Sequence, residues 1–199
     1  MNTSEIEKKT KKKKTMILIF DTETTGMVDS KKPESDPCQP RLVQFAGMVV
    51  DGERVVKSVS SIVHPGINIP SDVSKIHGIT DELVDRVGID MSEILKWYSD
   101  EVRRCSFIVA HNANFDIRVM NSQFYYKKCI PPKIPEVYDT MKKSTNLLKM
   151  KGPYGYKWPK LIELHKFLFN EGFDGAHDAM EDVRATFRCY KKLVGMGIK

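Results

Sequence analysis

No apolar run in this 199-residue chain approaches the ~20 residues that a membrane span needs. The run that follows the N-terminal lysines, Met16 to Phe20, is too short for the core of a signal peptide and passes directly into acids. Cysteine is scarce and scattered. Cys38, Cys105, Cys129 and Cys189 lie far apart with no C-x-x-C, which excludes a recognisable zinc spacing and a disulfide framework. A reducing compartment fits that pattern, so an intracellular, cytoplasmic location is expected, or a nuclear one if the source has a nucleus. No internal repeat is visible. The body of the chain also lacks a strong charge bias. Of the formal net charge of +6, most comes from the first fourteen residues, where six lysines face two glutamates, leaving about +2 for the rest. The basic balance is therefore a tail effect; it suits a polyanionic partner, but a solvated tail is the favoured reading over a dedicated nucleic-acid arm. What remains is ordinary for a globular protein: 41% hydrophobic and 29% charged residues, in a chain long enough for one full core. Residues 1–15 are expected to be a disordered basic tail and residues 16–199 one domain.

The domain is organised around Ile17-Leu18-Ile19-Phe20-Asp21-Thr22-Glu23-Thr24-Thr25-Gly26. The apolar run predicts a buried strand. Asp21 and Glu23, two apart, then project from the same face of that strand. Carboxylates held side by side repel one another unless a cation sits between them, and hard oxygen ligands suit Mg²⁺ or Mn²⁺. A metal site and a plain polar strand end both remain open on this segment alone. Met27 to Pro40 is a long, proline-containing loop beside the acid pair, of the kind that is often functional or mobile. Leu42 to Val50 and Val55 to Val63 predict two further strands about an Asp51-Gly52 turn, the second by partial alternation, completing an antiparallel meander. Short helices are expected from Pro70 to His77, stopped by Gly78, and after Thr80, followed by one over Ser92 to Cys105. Phe107 to Ala110 reads as a short buried strand. Asn112 is positioned to cap a helix running to about Lys127. Val137 to Asp139 predicts a last strand with a helix opening at Thr140, Pro159 suits the first turn of a helix through Phe169, and Ala179 to about Leu193 predicts the final helix. Strands first, then strands alternating with helices, imply an α/β fold with a mixed sheet covered by helices.

Two more acid-bearing segments stand out. Asp116, in His111-Asn112-Ala113-Asn114-Phe115-Asp116, falls near the first turn of a helix at the sheet edge that Asp21 occupies. A lone acid there is commonly only a partner for the helix dipole. In His177-Asp178-Ala179-Met180-Glu181-Asp182, Asp178 and Glu181 have capping-box spacing, which puts His177 on the loop and Asp182 inside the helix. On one continuous helix, His177 and Asp182 would diverge by ~140°. With His177 on the loop, both can reach one site.

Taken together, these segments resemble the DEDDh exonucleases, the family of the proofreading epsilon subunit of bacterial DNA polymerase III. Asp21 to Gly26 is similar to the first motif, His111 to Asp116 to the second and His177 to Asp182 to the third in its histidine form; Ile76-His77-Gly78-Ile79-Thr80 is similar to a segment of the proofreading branch. The resemblance spans roughly residues 16 to 194. It implies a ribonuclease H-like fold, with a five-stranded mixed sheet whose strands one to three are antiparallel. It implies that Asp21, Glu23, Asp116 and Asp182 hold two Mg²⁺ or Mn²⁺ ions and that His177 is the general base. It further implies a metal-dependent 3′–5′ exonuclease acting on single-stranded or frayed DNA and releasing nucleoside 5′-monophosphates.

Candidate substrate contacts are Thr24, Thr25 and Gly26, as backbone donors and a wedge, together with Asn112 and Phe115, the latter also a natural core residue. His77 reads equally as substrate-facing or structural. Lys151, Tyr154, Tyr156, Lys157 and Trp158 mix basic and aromatic residues as single-strand binding surfaces do, but Tyr156 and Trp158 are expected to anchor the last two helices instead. An RNA-trimming enzyme of the same fold and an inactive nucleic-acid-binding accessory module are the rival readings. The chain ends at Lys199 soon after the last helix, so no tether for a polymerase is expected.

Overall fold

The computed structural model describes residues 15–199, so the lysine-rich tail expected to be disordered, up to Lys14, lies outside the described residues. The first three strands, β1 (Met16–Thr24), β2 (Leu42–Asp51) and β3 (Arg54–Ile62), form an antiparallel meander. β4 (Phe107–Ala110) and β5 (Glu136–Asp139) join it in parallel, giving the order β3-β2-β1-β4-β5. This is the mixed five-stranded, ribonuclease H-like sheet expected from the sequence, with β1 at its centre.

Residues of β1 alternate between two cores. Leu18 and Phe20 face Phe45, Tyr98, Ile108, Val119 and Phe124, beneath helices α3 (Met91–Arg104) and α4 (Ala113–Tyr126). Ile17 and Ile19 face Met48, Val109, Val183 and Phe187, beneath α5 (Thr140–Leu148), α6 (Leu161–Phe169) and α7 (Ala179–Gly195). Burial on both sides explains why β1 is a continuous apolar run rather than an alternating one. The face assignment then carries forward: Asp21 and Glu23, at odd positions like Ile17 and Ile19, belong to the α7 side, and Thr22 to the α4 side.

Several local expectations are met. The helix α1 (Ser71–His77) ends on Gly78 at φ 74, a left-handed stop that a Cβ would strain. The hydroxyl of Thr80 accepts from the Leu83 amide and caps α2 (Asp81–Val87).

Other expectations need correction. Asp51 pairs with Arg54, so the hairpin loop is Gly52-Glu53, one residue later than the Asp-Gly reading. Gly52, at φ 64, occupies its first position, as a type II′ turn demands. Of the apolar face read from Val55, Val59 and Ile62, Val59 and Ile62 pack partly buried against the cores, but β3 does not bury Val55. It is the sheet edge, and Val55 and Val56 are exposed. Asn112 stands at the N-cap of α4 in a left-handed conformation with no side-chain cap bond, and its own amide donates to Asp139 Oδ1. Pro159 lies before α6 rather than within it. The loop from Met27 to Pro40 is pinned: Arg118 of α4 donates to the carbonyls of Asp29 and Lys32, and the Gln39 amide to those of Asp29, Lys32 and Pro33.

Gly47, on β2, shows where packing alone demands glycine. A Cβ there would sit 2.6 Å from the Trp97 ring and 2.9 Å from that of Phe45. Gly47→Ala is expected to destabilise the fold by about 1–3 kcal/mol, the usual scale for overpacking, seen as a lower urea midpoint with an unchanged m-value.

Candidate active site

The site begins where β1 outruns its neighbour. β1 pairs with β4 only from Ile17 to Ile19, whereas its pairing with β2 continues to Thr24. Beyond Ile19 one flank of β1 is therefore open, and Asp21 and Glu23 lie along the opening. The chain leaving β4 turns at His111-Asn112 into α4, whose first turn carries Asp116. Asp116 comes from the α4 side of the sheet and is drawn to the strand by Thr22, whose hydroxyl donates to Asp116 Oδ1 at 2.7 Å. Thr22 was not among the candidate residues. Its alternation to the α4 side was legible, but the target of its hydroxyl, 94 residues away, was not.

From the other side comes α7. Asp178 caps it, accepting from the amides of Met180 and Glu181. Only half of the expected capping box forms, because the Glu181 carboxylate pairs with Arg184 at 2.7 Å instead. Gln44 was also overlooked. It lies opposite Glu23 on β2, and its Oε1 accepts the Ala179 amide at 3.2 Å, fixing the start of α7 to the sheet. His177 sits outside the helix, as expected. It is exposed and left-handed at φ 72, and its amide donates to Asp182 Oδ2 at 3.1 Å. That backbone conformation costs about 1–2 kcal/mol for a residue with a Cβ, and the Asp182 contact helps hold it.

One carboxylate oxygen each from Glu23 and Asp182 and one ring nitrogen of His177 lie within 4.8 Å of one another, a set able to hold a metal ion. Asp21 and Asp116 complete the acidic group and are detected by their repulsion. Burial pushes Asp21 well above the usual carboxylate range, and Asp116, Asp182 and Glu23 push it further. Burial, then Asp182 and Asp116, raise Glu23 to about 8. Asp116 is raised to about 7 by burial, against the opposing Thr22 hydrogen bond. Asp182 is raised to about 6, again by burial, against the His177 amide. Four carboxylates that resist ionising together form a set that a cation would satisfy.

Among the proposed substrate contacts the structure discriminates. His77 is brought to the site. Its Nδ1 accepts the Ile79 amide, so in the neutral ring Nε2 carries the proton. That Nε2 is buried and directed at the Thr24 backbone, short of a well-formed hydrogen bond. Burial lowers the His77 pKa against an opposing hydrogen bond to the Thr24 backbone, and His177 lowers it further. Thr25 is not a free backbone donor: its amide donates to the Arg41 carbonyl, and its hydroxyl accepts the Arg41 amide, both at 2.9 Å. The Thr24 hydroxyl closes on the Gly26 carbonyl at 2.6 Å. A Cβ on Gly26 would meet no protein atom within 4 Å, so packing does not require glycine there. Phe115 is half-buried against the core on the α4 side. Asn112 is held by its backbone, beside His111, whose Nε2 donates to the Pro159 carbonyl while Nδ1 faces the Thr140 hydroxyl, both at 2.9 Å.

The raised carboxylates set a pH dependence. The folded chain holds protons that the unfolded chain, with carboxylates near pKa ~4, has released, so without metal its stability falls as pH rises. The fall spans the interval from about 4 up to the Glu23 value of about 8. In EDTA the thermal midpoint is expected to drop across that interval, and added Mn²⁺ to raise it more at pH 8 than at pH 6. A metal-induced shift of equal size at both pH values would contradict this electrostatic account.

A family model described as the RNase T exonuclease domain matches residues 18–190. The chain is 28% identical over 177 residues to the DNA polymerase III subunit epsilon of Treponema pallidum, covering 88% of this chain and 74% of that protein. It is 27% identical over 183 residues to the PolC-type DNA polymerase III of Thermotoga maritima, covering 90% of this chain but 12% of that much longer protein. Among solved structures, Exonuclease X in complex with 5′ overhanging duplex DNA aligns with 92% of this chain and 94% of its own at TM-score 0.61 and 24% identity. E. coli Exonuclease I in complex with a dT13 oligonucleotide aligns with 90% of this chain and 41% of its own at TM-score 0.69 and 22% identity, a likeness of fold. With the family model matched across both cores and all three acidic segments, this chain belongs to the RNase T exonuclease family.

Proposed function

We propose that this chain hydrolyses phosphodiester bonds one nucleotide at a time from the 3′ end of single-stranded or frayed DNA, releasing nucleoside 5′-monophosphates. The observation that carries the reading is the convergence, at the open end of β1, of four mutually repelling carboxylates with one exposed imidazole. The names of the two relatives, both DNA polymerase III components, favour DNA over RNA and make a polymerase a candidate partner.

Asp21, Glu23, Asp116 and Asp182 would hold the metal, and their hard oxygen donors suit two Mg²⁺ or Mn²⁺ ions. Bound divalent ions would supply positive charge to the phosphoryl group as negative charge builds in the transition state. Thr22 keeps Asp116 turned toward the strand, and Gln44 keeps the start of α7 in place. His177, at the solvent edge, takes the proton of the attacking water as the water oxygen bonds to phosphorus and the bond to the 3′ oxygen of the preceding nucleotide breaks. An imidazole can take up and release a proton near neutral pH, which suits that task. His77, whose Nε2 is directed at the Thr24 backbone, would hold Thr24 beside the terminal nucleotide. Thr24, Gly26, Asn112 and Phe115 would line the nucleotide pocket.

The grouping of a His177 nitrogen with Glu23 and Asp182 supports a second reading, in which the imidazole is a metal ligand. The two separate experimentally. As a base, His177→Ala lowers kcat by ~10²–10⁴-fold while Mn²⁺ titrates calorimetrically as in the parent. As a ligand, the same change weakens Mn²⁺ binding. Asp21→Asn and Asp182→Asn are expected to lose metal binding and turnover together, and full turnover in either would remove the proposed metal site.

Substrate and polarity are read from matched 5′-labelled DNA and RNA single strands. The DNA is expected to shorten in a single-nucleotide ladder from its unlabelled 3′ end, faster than the RNA. Preference for the RNA would reassign the substrate.

A further inference from the structure

The sequence reading assigned Tyr156 and Trp158 to anchoring the last two helices. The structure does otherwise. Lys151–Gly152 and Gly155–Tyr156 pair as a separate two-stranded hairpin, β6 and β7, with Pro153-Tyr154 as its loop. Tyr154 is fully exposed, Trp158 is 64% exposed and Tyr156 is 50% exposed. Among the described residues, none of the three rings stacks on another ring or lies beneath a cation. Leaving three large aromatic side chains in water is costly for a chain that could bury them, and such a patch commonly marks a binding surface.

The alternation of the hairpin sorts its side chains. Lys151 is directly opposite Tyr156, which places the lysine on the same face as that ring, while Tyr154 stands in the loop and Trp158 just beyond β7. Lys157 pairs with Glu163 of α6 at 2.6 Å and ties the hairpin to the body of the protein. Lys149 and Lys160, also exposed, flank the patch. A cleft of about 270 Å³ opens among Gly152, Tyr154, Tyr156, Lys157 and Trp158.

The hairpin is also tied to the catalytic edge. Trp158 precedes Pro159, whose carbonyl is held by His111 at 2.9 Å, and His111 leads through Asn112 into the helix that carries Asp116.

We infer that the β6–β7 hairpin is a stacking platform for single-stranded nucleic acid, engaging the nucleotides upstream of the 3′ terminus through Tyr154, Tyr156 and Trp158, with Lys151 on the backbone phosphates. Aromatic rings with interleaved lysines fit a chain of flat bases and anionic phosphates, and do so without sequence preference. The inference rests on the proposed exonuclease reading for the direction of the strand, but its binding test is read without turnover.

The test is fluorescence anisotropy with labelled dT12 and dT3 in EDTA, using the full chain. Tyr154→Ala/Tyr156→Ala/Trp158→Ala is expected to weaken dT12 by on the order of 10- to 100-fold and dT3 by much less. Tyr156→Phe and Trp158→Phe should retain affinity for dT12, and Lys151→Gln should flatten the salt dependence of log K by about 0.7. The single variant Tyr154→Ala, changed at a fully exposed side chain, carries the test if the triple variant folds poorly. Unchanged dT12 affinity, as expected of a protein-docking hairpin, would overturn the inference, and so would an equal loss for dT12 and dT3. If the parent digests dT12 with Mn²⁺ but the variants bind it as the parent does, the platform falls and the exonuclease reading stands. If the parent binds dT12 through the hairpin but digests nothing, the reverse holds.

Discussion

Electrostatic repulsion among Asp21, Glu23, Asp116 and Asp182 is the constraint on which the rest of this molecule turns. Four carboxylates are pressed together at one end of the central strand, in surroundings that penalise their charge, and each is held above the ordinary carboxylate range. Such an arrangement persists only because the remainder of the fold outweighs it. The two apolar cores on either face of β1, and the neutral hydrogen bonds from Thr22 and Gln44, hold the acids where they would not gather by themselves. Crowded carboxylates of this kind are a charge that a cation would satisfy.

The sheet topology explains how acids from three distant segments meet. Because β4 runs parallel to β1 and stops pairing early, the end of β1 is flanked by a departing loop rather than by another strand. Into that opening α4 delivers Asp116 from one face of the sheet, and α7 delivers Asp182 from the other, with His177 on the loop before it. The strained backbone at His177 keeps the imidazole out of the helix, at the rim, where solvent reaches it. The hairpin formed by β6 and β7 extends from the same rim through the contact between Pro159 and His111. The acidic site and the aromatic hairpin are thus linked by that single hydrogen bond.

Much of this was legible in the residues. The apolar run of β1, the meander, the two later strands and the long helices each follow from periodicity and local stop signals, although β1 runs on past Asp21 to Thr24. The i, i+2 spacing put Asp21 and Glu23 on one face, and the cap at Asp178 separated His177 from Asp182. Failures occurred where a residue's partner was remote. Val55 reads as part of a half-buried face with Val59 and Ile62, yet lies exposed at the start of the edge strand while the other two pack against the cores. Asn112 has the chemistry of a cap, but its backbone is claimed by Asp139, 27 residues on. Thr25 reads as a loop donor, but its amide is already taken by Arg41.

By itself, the sequence determined which residues are chemically able to act and on which face of which element each stands, because spacing of two in a strand and three to four in a helix is a local property of the backbone. Only the tertiary structure decided which of them meet. Thr22 finding Asp116, Gln44 finding the start of α7, and three aromatic rings left in water on a short hairpin all depend on how separate elements pack, and no local spacing encodes a distance between segments a hundred residues apart.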